Sequence, residues 1–232
     1  MKFKVIGHSC MYAETSGPSI LVDPWLIGSC YWRSWWHYPP VPDPPDAELL
    51  SADYVYLTHH HFDHFHFPSM RKIHRDAHIL VPKFGVPTLA EEVRNLGFHE
   101  VMELPHGQVV QLAPGVRVAS YQNGPDDSAF VIADGDNVVI DINDGKIRGR
   151  TLRKIRDEFG RATFVLKSYS FAQAYPVCYT PTILPTSSSS RATPISTTGC
   201  SPWTSWSRAT RSRSVPWSRS CTRRAVTSTP TS

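Results

Sequence analysis

The feature that most constrains this chain is a cluster of histidines placed directly after a short apolar run. Residues 54–66 read YVYLTHHHFDHFH, and five of the eight residues from His59 to His66 are histidine, with Asp63 among them. The run before them is rich in aromatic and β-branched residues, which favour a strand. A strand held in a sheet fixes the loop that follows it. The sequence therefore predicts a sheet-based domain with an open, polar loop at a strand end.

The spacing of these side chains indicates a metal site. Imidazole and carboxylate groups are the ligands that zinc, iron and manganese take in proteins. In an extended segment His59 and His61 point to one side, so they can hold one ion together. Asp63 and His64 follow where the chain turns towards a helix, and they can reach a second ion.

The other two histidines of the cluster are not assigned to a metal. His60 points away from the site, which suggests a structural or supporting role, and His66 lies beyond the turn. The alternative is a histidine run that binds metal without forming a defined site. The presence of Asp63, the regular spacing and the preceding strand argue against that alternative.

The body of the chain alternates between strand and helix patterns, which predicts an α/β layered domain with mixed sheets. Strands are predicted for KFKVIG, SILVDPWL, ADYVYLT, HILVP, VRVASYQ, SAFVIAD, NVVIDIN and TFVLKS. Helices are predicted from Pro68 in PSMRKIHR, in TLAEEVRNLG with Gly97 as its end, and in KIRGRTLRKIRDEFG with Gly160 as its end. Asp134–Asn137 (DGDN) is a hairpin turn signal between the sixth and seventh of these strands.

The last part of the chain has a different composition. Residues 1–179 carry 17 Lys and Arg against 20 Asp and Glu, whereas residues 180–232 carry seven Arg and no acid. The second segment is mostly Ser, Thr, Arg and Pro and has no apolar period, so we expect a disordered tail after a domain of residues 1–179. Its abrupt onset favours translation out of frame. Ordinary disorder and phosphate contacts of a nucleic-acid-binding tail are the alternatives.

Composition excludes several classes of protein. Hydrophobic residues make up 41% of the chain, as in a globular protein. No apolar run of about 18 residues is present, so no membrane span is expected. The N-terminus MKFKVIGHSCMYAE lacks the apolar segment of a signal peptide. Five scattered cysteines do not form a disulfide pattern, and a cytoplasmic location is expected.

The motif His59-x-His61-x-Asp63-His64 after a strand resembles the signature of the metallo-β-lactamase superfamily. GHSC at 7–10, ILVDPWL at 20–26 and DINDG at 141–145 occur in the order that this superfamily uses. Four further segments are similar in sequence to the metal-binding domain of CMP-N-acetylneuraminate hydroxylase-like proteins: DPWLIG, WRSWW, DDSAFVIADGDNVVIDIND and VLKSYSFAQAYP. The resemblance covers about residues 3–179. It implies an αββα sandwich that is incomplete at its C-terminus.

The resemblance also implies a ligand set, residue by residue. His59 and His61 hold the first of two divalent ions, and Asp63 and His64 hold the second. Asp144, at the end of VVIDIND, bridges both ions. The ions are zinc or iron, with manganese as a further alternative.

The resemblance implies one supporting residue, the position after a strand suggests another, and two ligands are missing. Asp23 in LVDPW corresponds to a buried carboxylate that orients the ligand loops, and His8 is expected to approach the site in a supporting role. The superfamily usually supplies one histidine between the main motif and the bridging aspartate. Asn123 stands near that place, and Asp127 or Asp126 is expected to substitute. A final histidine is also usual, but no histidine follows residue 106.

Two activities from different classes are consistent with these residues. The first is a hydrolase in which a hydroxide between two ions attacks an ester, lactone, amide or phosphoester, with Asp63 as a catalytic residue that orients the water. The alternative is a di-iron oxygenase. The matching hydroxylases carry a Rieske centre, whereas this chain has no Cys-x-His pair, so a separate electron donor would be needed. The second alternative is an inactive, truncated relic.

The expected partner is a small-molecule substrate. No membrane partner is expected, and nucleic acid is the least favoured partner. The aromatic stretch CYWRSWWHYPPVP at 30–42 is interpreted either as a loop over the metal cleft that stacks on a base or sugar, or as aromatic–proline packing at a sheet edge.

Overall fold

The structure, a computed structural model, describes residues 1–168. The tail predicted from residue 180 onward, and the predicted incompleteness of the fold at its C-terminus, lie outside the described residues. The described strands are β1 (Lys2–Gly7), β2 (Cys10–Glu14), β3 (Ser19–Val22), β4 (Ser29–Cys30), β5 (Trp35–Trp36), β6 (Tyr54–Tyr56), β7 (His78–Pro82), β8 (Val101–Leu104), β9 (Val109–Ala113), β10 (Val116–Asn123), β11 (Asp127–Asp134), β12 (Asn137–Asn143) and β13 (Phe164–Lys167). The described helices are α1 (Ala47–Leu50), α2 (Phe67–Met70), α3 (Thr88–Asn95) and α4 (Arg150–Phe159).

Two mixed sheets form the centre of the fold. The first has the order β1-β2-β3-β6-β7-β8, and the second has the order β13-β12-β11-β10-β9. In the first sheet β3, β6, β7 and β8 run parallel. In the second, β12 and β13 are parallel and the other neighbours are antiparallel. The short strands β4 and β5 pair separately.

Three apolar clusters show how these sheets are layered. One lies between the sheets and includes Met11 and Ile20 from the first and Phe130 and Ile132 from the second. A second covers the outer face of the first sheet with residues of α1, α2 and α3, and a third joins the second sheet to α4. Each sheet is therefore buried on both faces, and the predicted αββα sandwich is confirmed.

A polar link crosses the interface between the two sheets. The phenol of Tyr56 lies 2.8 Å from the hydroxyls of both Ser120 and Ser128, and its ring stacks on Phe130 with centroids 3.8 Å apart. Ser128 in turn donates to the carbonyl of Thr58 at 2.9 Å. Because buried polar groups are costly without partners, this network fixes how the sheets meet just below the histidine loop.

Several predicted boundaries are wrong. The helix expected from Pro68 through residue 75 is a single turn, because the backbone N–H of His74 donates to the carbonyl of Leu50 and the chain turns there. The helix expected from Lys146 begins only at Arg150. The strand expected over residues 19–26 ends at Val22, where the chain turns.

The ends of strands from both sheets meet at one edge of the sandwich. β3 and β6 are parallel neighbours, so the segments after Val22 and Tyr56 leave the sheet side by side. β12 ends at Asn143 in the second sheet. Among the described residues, no helix is long and apolar enough to span a membrane.

Candidate metal centre

The histidine loop leaves β6 and turns back within a few residues. The carbonyl of His61 accepts hydrogen bonds from the backbone N–H groups of His64 (2.9 Å) and Phe65 (2.7 Å). This tight turn buries His59, Asp63 and His64 and leaves His61 exposed. The local sequence thus presents alternating polar side chains to the edge of the sandwich while Phe65 enters the core.

The first group of potential ligands consists of His59, His61 and Asp144, whose donor atoms all lie within 4.8 Å of one another. His59 Nε2 and His61 Nδ1 are 2.8 Å apart. Burial lowers the pKa of His59 to about 2, with His64 and His61 adding to the effect. A neutral imidazole is the form that binds a metal, so His59 is ready to act as a ligand.

The second group consists of His8, Asp63 and His64, again within 4.8 Å. His8 Nε2 lies 2.6 Å from Asp63 Oδ2, and His64 Nε2 lies 3.4 Å from the same oxygen. Burial raises the pKa of Asp63, but the nearby His64 ring and the hydrogen bonds with His8 and Tyr31 outweigh it and hold this pKa far below its ordinary value. Asp63 is therefore a carboxylate at any physiological pH.

Asp144 connects the two groups. Its Oδ2 lies 3.6 Å from His64 Nε2, although Asp144 itself belongs to the first group. The side chain of Asp144 is 44% exposed, so the edge between the groups opens to solvent. A carboxylate at this place can reach an ion in either group, as the resemblance implied for a bridging residue.

Asp23 lies behind the ligands and holds them in place. Its two oxygens accept hydrogen bonds from the backbone N–H of Thr58 (2.8 Å), the hydroxyl of Thr58 (2.7 Å) and the side-chain amide of Asn143 (2.6 Å). His64 Nδ1 lies 2.7 Å from Asp23 Oδ2. Asp23 is fully buried and has a left-handed backbone, with φ of 44°. The structure places Asp23 where the sequence predicted a supporting carboxylate.

The proposed substitute ligands do not join either group. Asp127 Oδ1 is 3.7 Å from Nδ1 of His59, whereas His59 faces His61 through Nε2. The same oxygen accepts the backbone N–H of Ser128 at 2.7 Å. Asn123 pairs with Asp127 at the β10–β11 hairpin, and Asp126 is in neither ligand group. The carboxylate of Asp127 faces the other nitrogen of the His59 ring, and its ligand role stays a prediction.

Other histidines take the places that the sequence suggested. His60 Nε2 lies 3.9 Å from Glu92, away from both groups, and His66 is turned inward, 2.8 Å from the hydroxyl of Ser69. His8 differs: the sequence predicted a supporting position, but its ring nitrogen contacts Asp63 directly. The GHSC stretch carried the signal, since His8 follows a strand as the main motif does.

An aromatic loop beside the ligands includes one residue that sequence reasoning missed. Tyr31 donates its phenol hydrogen to Asp63 Oδ1 at 2.7 Å. Its ring contacts Trp35 and Phe62, with centroids 4.8 and 5.7 Å apart. Trp32 is 84% exposed. The stretch CYWRSWW therefore lies next to the candidate metal centre, which agrees with the interpretation of a loop over the cleft.

Residues 2–158, more than half of the chain, match the profile of a family described as the β-lactamase superfamily domain. The chain belongs to the β-lactamase superfamily. This agrees with the αββα sandwich and with the family that the sequence motifs resemble, and it places the chain among metal-dependent enzymes.

Sequence relatives of this superfamily member carry further names. A Mycobacterium tuberculosis protein named as a Rieske 2Fe-2S iron–sulfur protein is 33% identical over 191 residues, which cover 77% of this chain and 36% of that protein. Cytidine monophosphate-N-acetylneuraminic acid hydroxylase of Pan troglodytes is 35% identical over 66 residues, 28% of this chain and 11% of that protein. The chain thus spans only about a third of the length of the first relative.

Solved structures with the same fold include enzymes of two kinds. CmlA, a diiron β-hydroxylase from Streptomyces venezuelae, aligns over 70% of this chain and 33% of its own, with 22% identity and a TM-score of 0.53. An isothiocyanate hydrolase from Delia radicum gut bacteria aligns over 68% of each chain, with 20% identity and a TM-score of 0.53. At these identities the likeness shows the fold alone.

Proposed function

We propose that this chain holds two divalent metal ions and that they serve an oxygenase reaction on a small-molecule substrate. His59 and His61 are the ligands of the first ion, Asp63 and His64 are ligands of the second, and Asp144 reaches both. The two ions are iron under this proposal. Two adjacent donor groups that meet at one carboxylate are the arrangement a dinuclear site needs.

One buried atom carries the metal proposal. His64 Nε2 is buried and has no hydrogen-bond partner among the described residues, although Asp63 Oδ2 and Asp144 Oδ2 lie 3.4 and 3.6 Å away. A buried polar atom without a partner is costly. His64 Nε2 faces two carboxylates without a hydrogen bond to either, so one metal ion could be bound by all three side chains. The residues present therefore suit the metal ions that the superfamily implies.

The chain's own residues set the environment of the reaction. A pair of iron ions, when bound, supplies the redox chemistry that activates dioxygen. Asp23 and Thr58 fix the orientation of His64 and His59, since hydrogen-bonded outer partners keep metal ligands in position. Tyr31 holds one oxygen of Asp63 and leaves the other directed to the ligand group. The half-exposed Asp144 leaves an open side through which a substrate can enter.

The oxygenase reaction is favoured by the named sequence relatives. One is named as a Rieske iron–sulfur protein and another as a hydroxylase, and both names refer to electron-transfer or oxygen-dependent chemistry. Because an oxygenase consumes electrons, we propose a separate iron–sulfur electron donor as a partner.

Hydrolysis is the second candidate, and the donor set is compatible with it. With Asp127 outside both groups, the donors are four imidazoles and two carboxylates, a composition that suits zinc as well as iron. The motif itself favours hydrolysis, the most common activity among proteins that carry it. In that reaction Asp63 is the catalytic residue that orients the attacking water, and zinc or manganese is the metal.

The deciding experiment measures metal content and activity of protein made in iron-rich and zinc-rich media. We expect about two irons per chain and oxygen consumption that requires both an iron–sulfur reductant and a substrate. Zinc or manganese protein that cleaves a generic lactone or phosphodiester without oxygen would establish hydrolysis instead. Protein that binds neither metal would contradict both and support the inactive relic.

A further inference from the structure

His8 belongs to a segment distant in sequence from the main motif, yet it reaches the second ligand group. It lies in the turn between β1 and β2 with φ of 51°, a left-handed conformation that is unfavourable for a residue with a side chain. Ser9 also contacts this loop, since its hydroxyl lies 3.4 Å from the carbonyl of Asp63. The turn is thus fixed against the histidine loop, and its backbone strain is retained where the ring meets Asp63.

The His8 ring is held from several sides. Its centroid lies 5.4 Å from that of Trp25, 6.1 Å from Trp35 and 5.7 Å from His64, all in edge-to-face arrangements. These contacts restrict the ring to the orientation in which Nε2 faces Asp63. The side chain remains 34% exposed, so an ion can approach from solvent.

The carboxylate of Asp63 is divided between two neighbours. Oδ1 accepts the phenol hydrogen of Tyr31 at 2.7 Å. Oδ2 lies 2.6 Å from His8 Nε2 and 3.4 Å from the buried, unpartnered Nε2 of His64. Because Tyr31 occupies Oδ1, the other oxygen of Asp63 lies next to the two imidazole nitrogens. One carboxylate oxygen and two imidazole nitrogens are the donor set of a three-ligand site.

We infer that His8, through Nε2, is the third protein ligand of the second ion. This inference rests on the proposed dinuclear centre. Donor atoms about 2.0–2.2 Å from one ion lie roughly 3–4 Å apart, and the donor atoms of His8, Asp63 and His64 lie within 4.8 Å of one another. The short His8–Asp63 hydrogen bond is replaced when the ion binds.

The experiment uses the whole chain and Co²⁺ as the probe, with the variants His8→Gln and His37→Gln. Glutamine keeps a hydrogen-bond donor for Asp63 but removes the imidazole. His37 is the matched control, because its ring also contacts Trp25, 3.9 Å away, but is in neither ligand group. Calorimetry gives the number and affinity of Co²⁺ sites, and proton NMR counts the hyperfine-shifted imidazoles.

We expect two Co²⁺ and four shifted imidazoles in the wild type and in His37→Gln. In His8→Gln we expect three shifted imidazoles, unchanged affinity at the first site, and a loss at the second that exceeds the roughly 10–100-fold typical of an outer partner. Four shifted imidazoles in His8→Gln, or three in the wild type, would show that His8 only donates a hydrogen bond and would overturn the inference. A wild type that binds fewer than two Co²⁺ would instead contradict the dinuclear centre itself.

Discussion

At the scale of single residues, the groups behind His59 and His64 give these two neighbours opposite properties. Burial alone lowers the pKa of both. For His64 the charge of Asp23, its contact with His64 Nδ1 and the nearby carboxylates of Asp144 and Asp63 reverse this and raise the pKa well above its ordinary value. His59 has no such carboxylate in hydrogen-bond contact, and its pKa stays low. The metal-free protein thus keeps a proton on His64 at neutral pH, and a metal ion has to displace it.

The substitution Asp23→Asn tests this balance. Loss of the charge lowers the pKa of His64, so fewer protons are released when a metal binds at pH 7. In the wild type, metal affinity falls as pH decreases, because the proton competes with the metal for His64. We also expect a roughly 10–100-fold loss of affinity in the variant, since His64 and Thr58 lose part of their support. Calorimetry in two buffers with different ionisation enthalpies measures both quantities.

A matched control for this substitution is Asp53→Asn. Asp53 accepts hydrogen bonds from Ser19 at the opposite end of β6 and is in neither ligand group. If Asp53→Asn changed proton release as much as Asp23→Asn, the effect would come from general destabilisation and not from the support of His64.

His60 and His61 point to opposite sides of the histidine loop, and this difference can be tested by substituting each of them. His61→Ala removes a donor whose Nδ1 lies 2.8 Å from His59 Nε2, so we expect loss of at least one of the two bound ions. His60→Ala removes a ring that faces Glu92 and should leave metal content unchanged. Elemental analysis after gel filtration measures the metal content of both variants. Equal metal loss in both variants would contradict the assignment of alternate sides.

At the scale of elements, several strands were predictable from their apolar runs and turn signals, and one strand in the first sheet was not. The strands at 78–82 and 137–143 have the predicted bounds. The strand β2 (CMYAE) was missed, because four consecutive buried residues show no period of two. Cys10 and Tyr12 enter one apolar cluster while Met11 and Ala13 enter another, so both faces are apolar. A continuous apolar run cannot be assigned from periodicity alone.

The hairpin between β11 and β12 also contains a structural contact that the sequence did not reveal. Asp134 is buried and accepts hydrogen bonds from the backbone N–H (3.0 Å) and hydroxyl (2.5 Å) of Ser16, and it lies 3.2 Å from the N-terminal amine of Met1. Burial raises its pKa, but these contacts outweigh burial and lower it. Asp134 therefore ties the turn after β2 to the second sheet.

We expect Asp134→Ala to lower the free energy of unfolding by about 1–3 kcal/mol at pH 7, because charged hydrogen bonds are lost. The pKa is lowered in the folded state, so this contribution is present above the ordinary carboxyl range near pH 4 and is lost as pH falls through the folded value. The difference from wild type should thus shrink below pH 4. Urea unfolding at several pH values measures it, with the exposed Asp136→Ala as control. A difference that grows on acidification would contradict the assignment.

At the scale of the whole molecule, the topology decides which distant residues meet. His8 comes from the β1–β2 turn, Asp23 from the end of β3, and Asp144 from the end of β12 in the other sheet. The motif and family resemblance could predict Asp23 and Asp144 near the histidines. They could not predict that His8 contacts Asp63, or that Asp127 faces Nδ1 of His59, because both depend on loop conformation and side-chain orientation at distances of a few ångström.

The last prediction concerns residues 180–232, whose sequence carries seven Arg, no acid and no apolar period. Such a composition offers little apolar area to offset the entropy of ordering, so we expect a chain ending at residue 179 to keep the metal content and melting temperature of the full chain. We expect limited proteolysis of the full chain to cleave first within residues 187–190, a run of four serines. A truncated chain that lost metal would show that the segment contributes to the domain. Salt-dependent affinity for nucleic acid that disappeared on truncation would instead support the nucleic-acid-binding alternative, because phosphate contacts by arginine weaken as salt rises.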